Sequence, residues 1–168
     1  VKIGGNMLDQ LICESVKKRY NILIGLKTAE KIKIALSDAM YVEDGVTDED
    51  IFYVYGRNVI TGLPSERGIS KDTVYEAIEQ FFDDIVDAIK NLLERTPPEL
   101  TADIVDAGIY LTGASSSIKN LDKLIKKETD LNVNVIKNPG ESVIRGISII
   151  MSDSKYRKLM YEPKESTF

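Results

Sequence analysis

The sequence predicts a mixed α/β fold, and three observations carry that prediction. In the last third, short β-branched runs alternate with helical stretches, an order that implies strands of one sheet linked through helices. Residues 7–20 and 73–95 carry apolar side chains at helical spacing. Between them, the β-rich runs 51–55 and 58–61 point to a small sheet set among helices.

Each element has its own local reason. Met7, Leu8, Leu11, Ile12, Val16 and Tyr20 give a helix over 7–20 with one apolar stripe, started by Gly4-Gly5-Asn6. A short apolar run at 22–24 breaks at Gly25. Thr28 is then the expected cap of a second helix, in which Ile32, Ile34, Leu36 and Ala39 stand among Lys27, Glu30, Lys31 and Lys33. The acidic stretch 43–50 reads as a surface loop, and turns are expected at Gly56 and at Gly62-Leu63-Pro64. Val74, Ile78, Phe81, Phe82, Ile85, Ile89, Leu92 and Leu93 define the longest helix, under a Thr73/Glu76 capping box and ended by Pro97-Pro98. A strand at 109–112, a small-residue loop at 113–117, a helix at 118–128, a strand at 133–136 and a turn at 138–140 follow. The last helix runs through Val143, Ile147 and Ile150, and the residues after Ser152 are expected to form a frayed polar tail.

Composition narrows the function classes. The chain has 168 residues and is 43% hydrophobic, enough for a core. Its 22 Lys+Arg against 27 Asp+Glu leave a net charge of -5, which disfavours bulk nucleic-acid binding. No histidine is present, which excludes Ser-His and Cys-His nucleophilic chemistry and imidazole-bound zinc. The single cysteine, Cys13, forms no internal disulfide and fits a reducing, cytosolic setting. No apolar run approaches the roughly 20 residues that cross a bilayer, so a soluble chain is expected. It opens at Val1 and enters Ile3-Gly4-Gly5 at once, which reads as a strand end and a turn and predicts a piece of a longer protein.

Few residues carry chemistry by pattern alone. In Gly108-Ile-Tyr-Leu-Thr-Gly-Ala-Ser-Ser-Ser-Ile118, a strand ends in small residues and opens a helix, so backbone amides can approach a phosphate or another polar group. The same arrangement also serves any α/β corner. Glu30 and Lys33 share one face of the second helix and can bracket an adenine or ribose edge, although their spacing equally fits a surface pair. Asp9, Glu14, Asp83 and Asp84 read as carboxylates on solvated helix faces. The 43–50 stretch lacks the alternating pattern of a calcium loop. Tyr53 and Tyr55, alternating with Phe52 and Val54, read as a strand with two packed faces rather than a base-stacking platform.

The order of several blocks resembles one known family. These are Ile3-Gly4-Gly5-Asn6-Met7-Leu8-Asp9 with Lys17-Lys18-Arg19-Tyr20-Asn21; Ile24-Gly25 before Thr28-Ala29-Glu30-Lys31-Ile32-Lys33-Ile34; and Gly56-Arg57-Asn58 with Thr61-Gly62-Leu63-Pro64. Two more are Thr96-Pro97-Pro98-Glu99-Leu100-Thr101-Ala102-Asp103-Ile104, and Gly108-Ile109-Tyr110-Leu111-Thr112-Gly113 with Leu121-Asp122. Over residues 1 to about 150 the chain resembles the C-terminal half of the MreB/Mbl bacterial actin-like proteins. The resemblance implies an actin-like (ribonuclease H-like) core subdomain over 1–24 plus 80–152, an inserted α+β subdomain over 25–79, and a polar tail at 153–168. It also implies binding of ATP or ADP with Mg2+, slow hydrolysis in the whole protein, filaments on the inner face of the cytoplasmic membrane, and a role in cell shape and wall synthesis. Implied partners are further copies of the chain, MreB-family paralogues and a membrane-anchored adaptor such as RodZ, with no nucleic acid and no direct membrane contact by these residues. The site residues it implies are Glu30, Lys31 and Lys33 on the insert side and Gly113, Ala114, Ser115 and Ser116 on the core side.

Departures from the family pattern qualify that expectation. Ala114 and Ser115 stand where the family has glycines, and their β-carbons take space beside a nucleotide. Ala35 and Ser37 replace the usual Glu and Gly after Lys33-Ile34. The family's phosphate hairpins and metal-positioning acid lie upstream of Val1, so these residues are expected to contain no catalytic or metal-ligating group and to bind ATP weakly alone. The alternative is a structural or regulatory paralogue with weakened or lost nucleotide binding.

Overall fold

The computed structural model describes residues 4–42 and 47–159. Helix α1 (Gly5–Tyr20) starts from Gly4 and buries Leu8, Asp9, Ile12 and Val16 along one face. Lys17, Lys18 and Arg19 sit in its last turn, where positive charge suits the carbonyl end of the helix. Asn21 ends it in the left-handed region, φ 55°, and donates its N–H to the Lys17 carbonyl at 3.1 Å. Strand β1 (Ile22–Leu23) follows at once, and Gly25 caps helix α2 (Leu26–Leu36). Thr28, the expected cap, lies inside the first turn instead, with its N–H on the Gly25 carbonyl at 2.9 Å. Extended backbone at Gly25 already makes the turn out of β1.

Strands β2 (Ile51–Asn58) and β3 (Pro64–Ser70) form an antiparallel hairpin, and β1 adds to its free edge in the order β1-β2-β3. The expected strand over 58–61 is the hairpin turn. Asn58 Oδ1 accepts from the Ile60 and Thr61 amides at 2.8 and 3.0 Å, a side chain closing its own turn. The turn expected at Gly56 is strand, and glycine serves close approach there: a β-carbon at Gly56 would lie 2.6 Å from the Leu23 carbonyl oxygen. Val54 is buried while Tyr53 and Tyr55 are exposed, so β2 packs one face and not two. Residues 43–46 of the expected acidic loop lie outside the described residues; Asp48–Asp50 form a 3-10 turn closed by Thr47 and Asp50.

Helix α3 (Lys71–Glu94) spans 24 residues and buries Thr73, Val74, Ile78, Phe81, Phe82 and Val86. It begins after Ser70, so the expected Thr73/Glu76 capping box is absent. The buried Thr73 hydroxyl instead meets Tyr20 Oη at 2.8 Å and Ser70 Oγ at 3.0 Å, and Glu76 accepts from Arg19 at 3.1 Å. Helix α4 (Pro98–Ala107) has Pro98 at its first position, where a missing N–H costs nothing. Strands β4 (Ile109–Leu111) and β5 (Val133–Val135) pair in parallel, connected through helix α5 (Leu121–Thr129). Helix α6 (Ser142–Ser152) follows a turn at Pro139–Glu141. Where a frayed tail was expected, Ser154–Leu159 form a 3-10 turn; the rest of that tail lies outside the described residues.

One apolar core joins these elements. Leu8, Ile12 and Val16 of α1 meet Ala29, Ile32 and Leu36 of α2, Val54 and Ile69 of the hairpin, the α3 stripe, and Leu121 and Ile125 of α5. The core is continuous across residues 24/25 and 79/80, and β1 pairs with β2 across the first of these positions. By contrast, α6 buries no residue, and Val143, Ile144, Ile147, Ile149 and Met151 are all 50% exposed or more. Contiguous exposed apolar surface of this kind marks a site of contact with another surface. Ile144 and Met151 are both exposed, so replacing them by Gln is expected to change stability by no more than about 0.5 kcal/mol in urea unfolding.

Candidate functional site

Four segments converge on a cavity of about 590 Å³. The first turns of α1 contribute Gly5, Asn6 and Asp9; α2 contributes Glu30, Lys33 and Ile34. Ala114, Ser115, Ser117 and Ile118 come from the segment after β4, and Gly140 from the turn before α6. The volume lies within the range of roughly 300–1,000 Å³ that small-molecule sites occupy. Gly5 and Asn6 of this lining are the first two residues of α1, whose amides have no partner within the helix.

Packing of the core forces the polar arrangement of the cavity floor. Asp9 lies between Leu8 and Ile12 on the buried face of α1 and is only 6% exposed, so it does not sit on the solvated face expected for it. Its answer comes from α2: Lys33 Nζ stands 2.8 Å from Asp9 Oδ1. That contact is an ion pair; Oδ1 accepts no hydrogen bond, and the ammonium donates to the Gly5 carbonyl at 3.1 Å. Lys33 thus ties α2 to the start of α1. Glu30, one turn earlier, is exposed at the cavity rim. Behind Asp9, burial first, and then the negative charges of Asp9 and Glu14, push the Cys13 thiol up from its usual range, so it stays protonated.

The opposite wall is built by backbone. Gly113, at φ 87°, turns the chain out of β4, and its N–H bonds to the Pro139 carbonyl at 2.8 Å. Ala114–Ser117 form a 3-10 turn, and Ser116 Oγ donates to the Gly113 carbonyl at 2.7 Å. Of the residues the sequence singled out, Glu30, Lys33, Ala114 and Ser115 are brought together around the cavity. Lys31 is exposed and outside its lining, while Gly113 and Ser116 shape the loop from behind. Gly5, Asn6, Asp9, Ser117, Ile118 and Gly140 were missed. Asp9 had a signal, an acid within an apolar stripe; Gly140 had none, because its place beside Ala114 exists only in three dimensions. Among the described residues, no group of three or more His, Cys, Asp or Glu side chains could hold a metal ion.

Residues 1–159 match the family described as MreB/Mbl protein. The chain belongs to the MreB/Mbl family. Its relatives include the cell shape-determining protein Mbl of Bacillus subtilis (strain 168), 36% identical over 91% of this chain and 45% of that protein. The cell shape-determining protein MreB of Escherichia coli (strain K12) is 38% identical over 87% of this chain and 41% of that protein. The chain therefore spans less than half the length of these curated relatives. Among solved structures, MreB5 of Spiroplasma citri bound to ADP superposes with a TM-score of 0.82 at 31% identity, covering 95% of this chain and 47% of that one. A second structure of that protein, bound to AMPPNP, gives 0.81 at 32% identity over 95% and 46%. The MamK double helical filament, at 22% identity with a TM-score of 0.69 over 97% and 46%, shares the actin-like fold. Among the described residues of this MreB/Mbl chain, no helix is long and apolar enough to cross a membrane.

The Asp9–Lys33 pair yields a direct test. Removing one partner leaves a charge buried without compensation, so Lys33→Ala is expected to cost about 3 kcal/mol in urea unfolding. In an Asp9→Ala background the same substitution is expected to cost less than about 1 kcal/mol, which separates the pair from simple packing.

Proposed function

We propose that these residues form part of the nucleotide site of an ATP-binding, filament-forming actin-like protein that organises cell shape, with ATP or ADP held in the cavity between α1, α2 and the 113–118 segment. The observation that carries this reading is the meeting of Glu30 and Lys33 with Ala114 and Ser115 around one cavity of about 590 Å³. The superposable MreB5 structures hold ADP and AMPPNP, which supports the same ligand class here. Glu30 supplies an acceptor for a ribose hydroxyl or the adenine amine. Lys33 keeps donor capacity beyond its bond to the Gly5 carbonyl and its ion pair with Asp9. The small residues of the loop and the first turn of α1 offer backbone amides to the polar parts of the ligand.

In this reading the chain binds and positions nucleotide but does not cleave it. The buried cavity carboxylate, Asp9, is neutralised by Lys33, and the serines have no histidine to activate them. Mg2+ enters with the nucleotide phosphates rather than on a carboxylate cluster of this chain. Self-assembly into filaments, pairing with MreB-family paralogues, docking to a membrane-anchored adaptor such as RodZ and a place at the inner face of the cytoplasmic membrane belong to the same proposal. The double helical filament of MamK, which shares the fold, supports the assembly part.

A second reading, a structural or regulatory paralogue with weakened nucleotide binding, is favoured by the side chains of Ala114 and Ser115 in the cavity lining. Calorimetric titration of the complete polypeptide with ADP and ATP in the presence of Mg2+ separates the two. Glu30→Ala is expected to weaken binding about tenfold, the worth of one hydrogen bond to a charged group. Ala114→Gly with Ser115→Gly is expected to tighten it. Absence of binding by the unaltered protein, with binding gained in the glycine variant, supports the paralogue reading and contradicts the first.

A further inference from the structure

Just beyond α2, Asp38 is buried at 5% exposure, and its carboxylate collects contacts from three separate segments. Oδ1 accepts from Asn120 Nδ2 at 2.7 Å and from the Met40 amide at 3.1 Å. Oδ2 faces Lys71 Nζ at 3.1 Å, on the first residue of α3, and Lys119 Nζ at 3.3 Å. The backbone joins in the same place: Asp38 and Lys119 form a parallel bridge, and the Ala39 N–H donates to the Lys119 carbonyl at 2.9 Å. Burial alone would raise the Asp38 carboxyl; the hydrogen bonds from Asn120 and Met40 and the charge of Lys71 outweigh it and hold the group below the usual carboxylate range. Among the described residues, other charged groups around the cluster are few. Asp50 Oδ1 stands 4.0 Å from Lys71, whose ammonium also lies 5.2 Å from the centre of the Tyr41 ring.

The position of this cluster matters more than its strength. Glu30, Lys33 and Ile34 line the cavity from α2, whose last residue is Leu36, and Asp38 follows two residues later. Ser115, Ser117 and Ile118 line it from the other side, and Lys119 and Asn120 are the next residues in the chain. Asp38 therefore joins the two walls at the point where each leaves the cavity. We propose that Asp38 is a positioning residue, which sets the spacing of the two cavity walls by holding Lys119 and Asn120 against the end of α2 and the start of α3. This rests on the nucleotide reading of the cavity. Asp38 is not itself part of the lining and acts through the segments it holds. Small displacements of a wall cost affinity because the ligand must then restore the spacing from its own binding energy.

The test uses the complete polypeptide, with ADP and Mg2+ as the probe, well below the unfolding temperature. Asp38→Asn keeps an oxygen for Asn120 and Met40 but removes the charge that faces Lys71 and Lys119. It is expected to weaken ADP binding about tenfold, within the range typical of coupling between linked sites. Asn120→Ala, which cuts the link from the loop side, is expected to do the same. The exchanged pair Asp38→Asn with Asn120→Asp returns a carboxylate to the cluster and is expected to recover most of the affinity. Lower thermal stability with unchanged affinity in both single variants overturns the proposal, since a merely structural contact behaves that way. If the unaltered protein binds no ADP, the nucleotide reading fails by itself and hydrogen exchange decides the clamp. Faster exchange in Asp38→Asn confined to 113–120 and the end of α2 supports it. Unchanged exchange, or uniformly faster exchange through β2 and β3, overturns it.

Discussion

Burial of one face of α1 between α2 and α3 is the constraint on which the structure depends. Leu8, Ile12 and Val16 are at most 1% exposed, and each buried aliphatic side chain of this size contributes roughly 1.5–3 kcal/mol. Those contacts fix the rotation of the helix, and with it the fate of Asp9, which is carried inside because it adjoins Leu8 and precedes Ile12 by less than one turn. A buried carboxylate requires a partner. Lys33 supplies it from α2, and its second contact, to the Gly5 carbonyl, fixes where the amide end of α1 meets the cavity. The ion pair need not add net stability, because desolvation of both charges offsets their attraction. Its contribution is geometric: it selects one register of α1 on α2.

From that floor the site follows by short steps. The same helix α2 that answers Asp9 presents Glu30 at the rim, so one element serves both packing and recognition. The facing wall is a short backbone turn whose hydrogen bonds run to itself and to the Pro139 carbonyl, with Ile118 at its end packed against the core. Such a segment takes its position from its anchors. Its forward anchor is the turn before α6, and its rear anchor is the carboxylate of Asp38. The contrast with α6, whose large apolar side chains are exposed, shows how unevenly the core reaches across the molecule. Burial is densest around α1, α2 and α3 and thins toward α4 and α6.

What the sequence disclosed followed the reach of local physics. Helices α1 and α3 were legible because their buried faces repeat at helical spacing, and the alternation of strand and helix after residue 108 was legible from β-branched runs. Their boundaries were less so: Gly25 and Ser70 begin α2 and α3 through extended backbone, where side-chain capping had pointed to Thr28 and Thr73. Gly56 was read as a turn because glycine punctuates turns more often than it makes room for a neighbouring strand. Helix α4 escaped because its apolar residues Leu100 and Val105 are more than half exposed and trace no buried stripe. At the site, Glu30, Lys33, Ala114 and Ser115 were named from a family pattern, while Asn6, Asp9 and Gly140 join them only through contacts between distant segments. No periodicity encodes those contacts.

The central claim is that the space between α1, α2 and the 113–118 segment receives nucleotide. Amide chemical shifts of the isotopically labelled complete polypeptide, followed through a titration with ADP and Mg2+, test it residue by residue. The account predicts shift changes at Gly5, Asn6, Glu30, Lys33, Ala114 and Ser115, with the outer residues of β2 and β3 undisturbed. Changes confined to another surface, such as the exposed face of α6, or no changes at any ADP concentration reached, would contradict it.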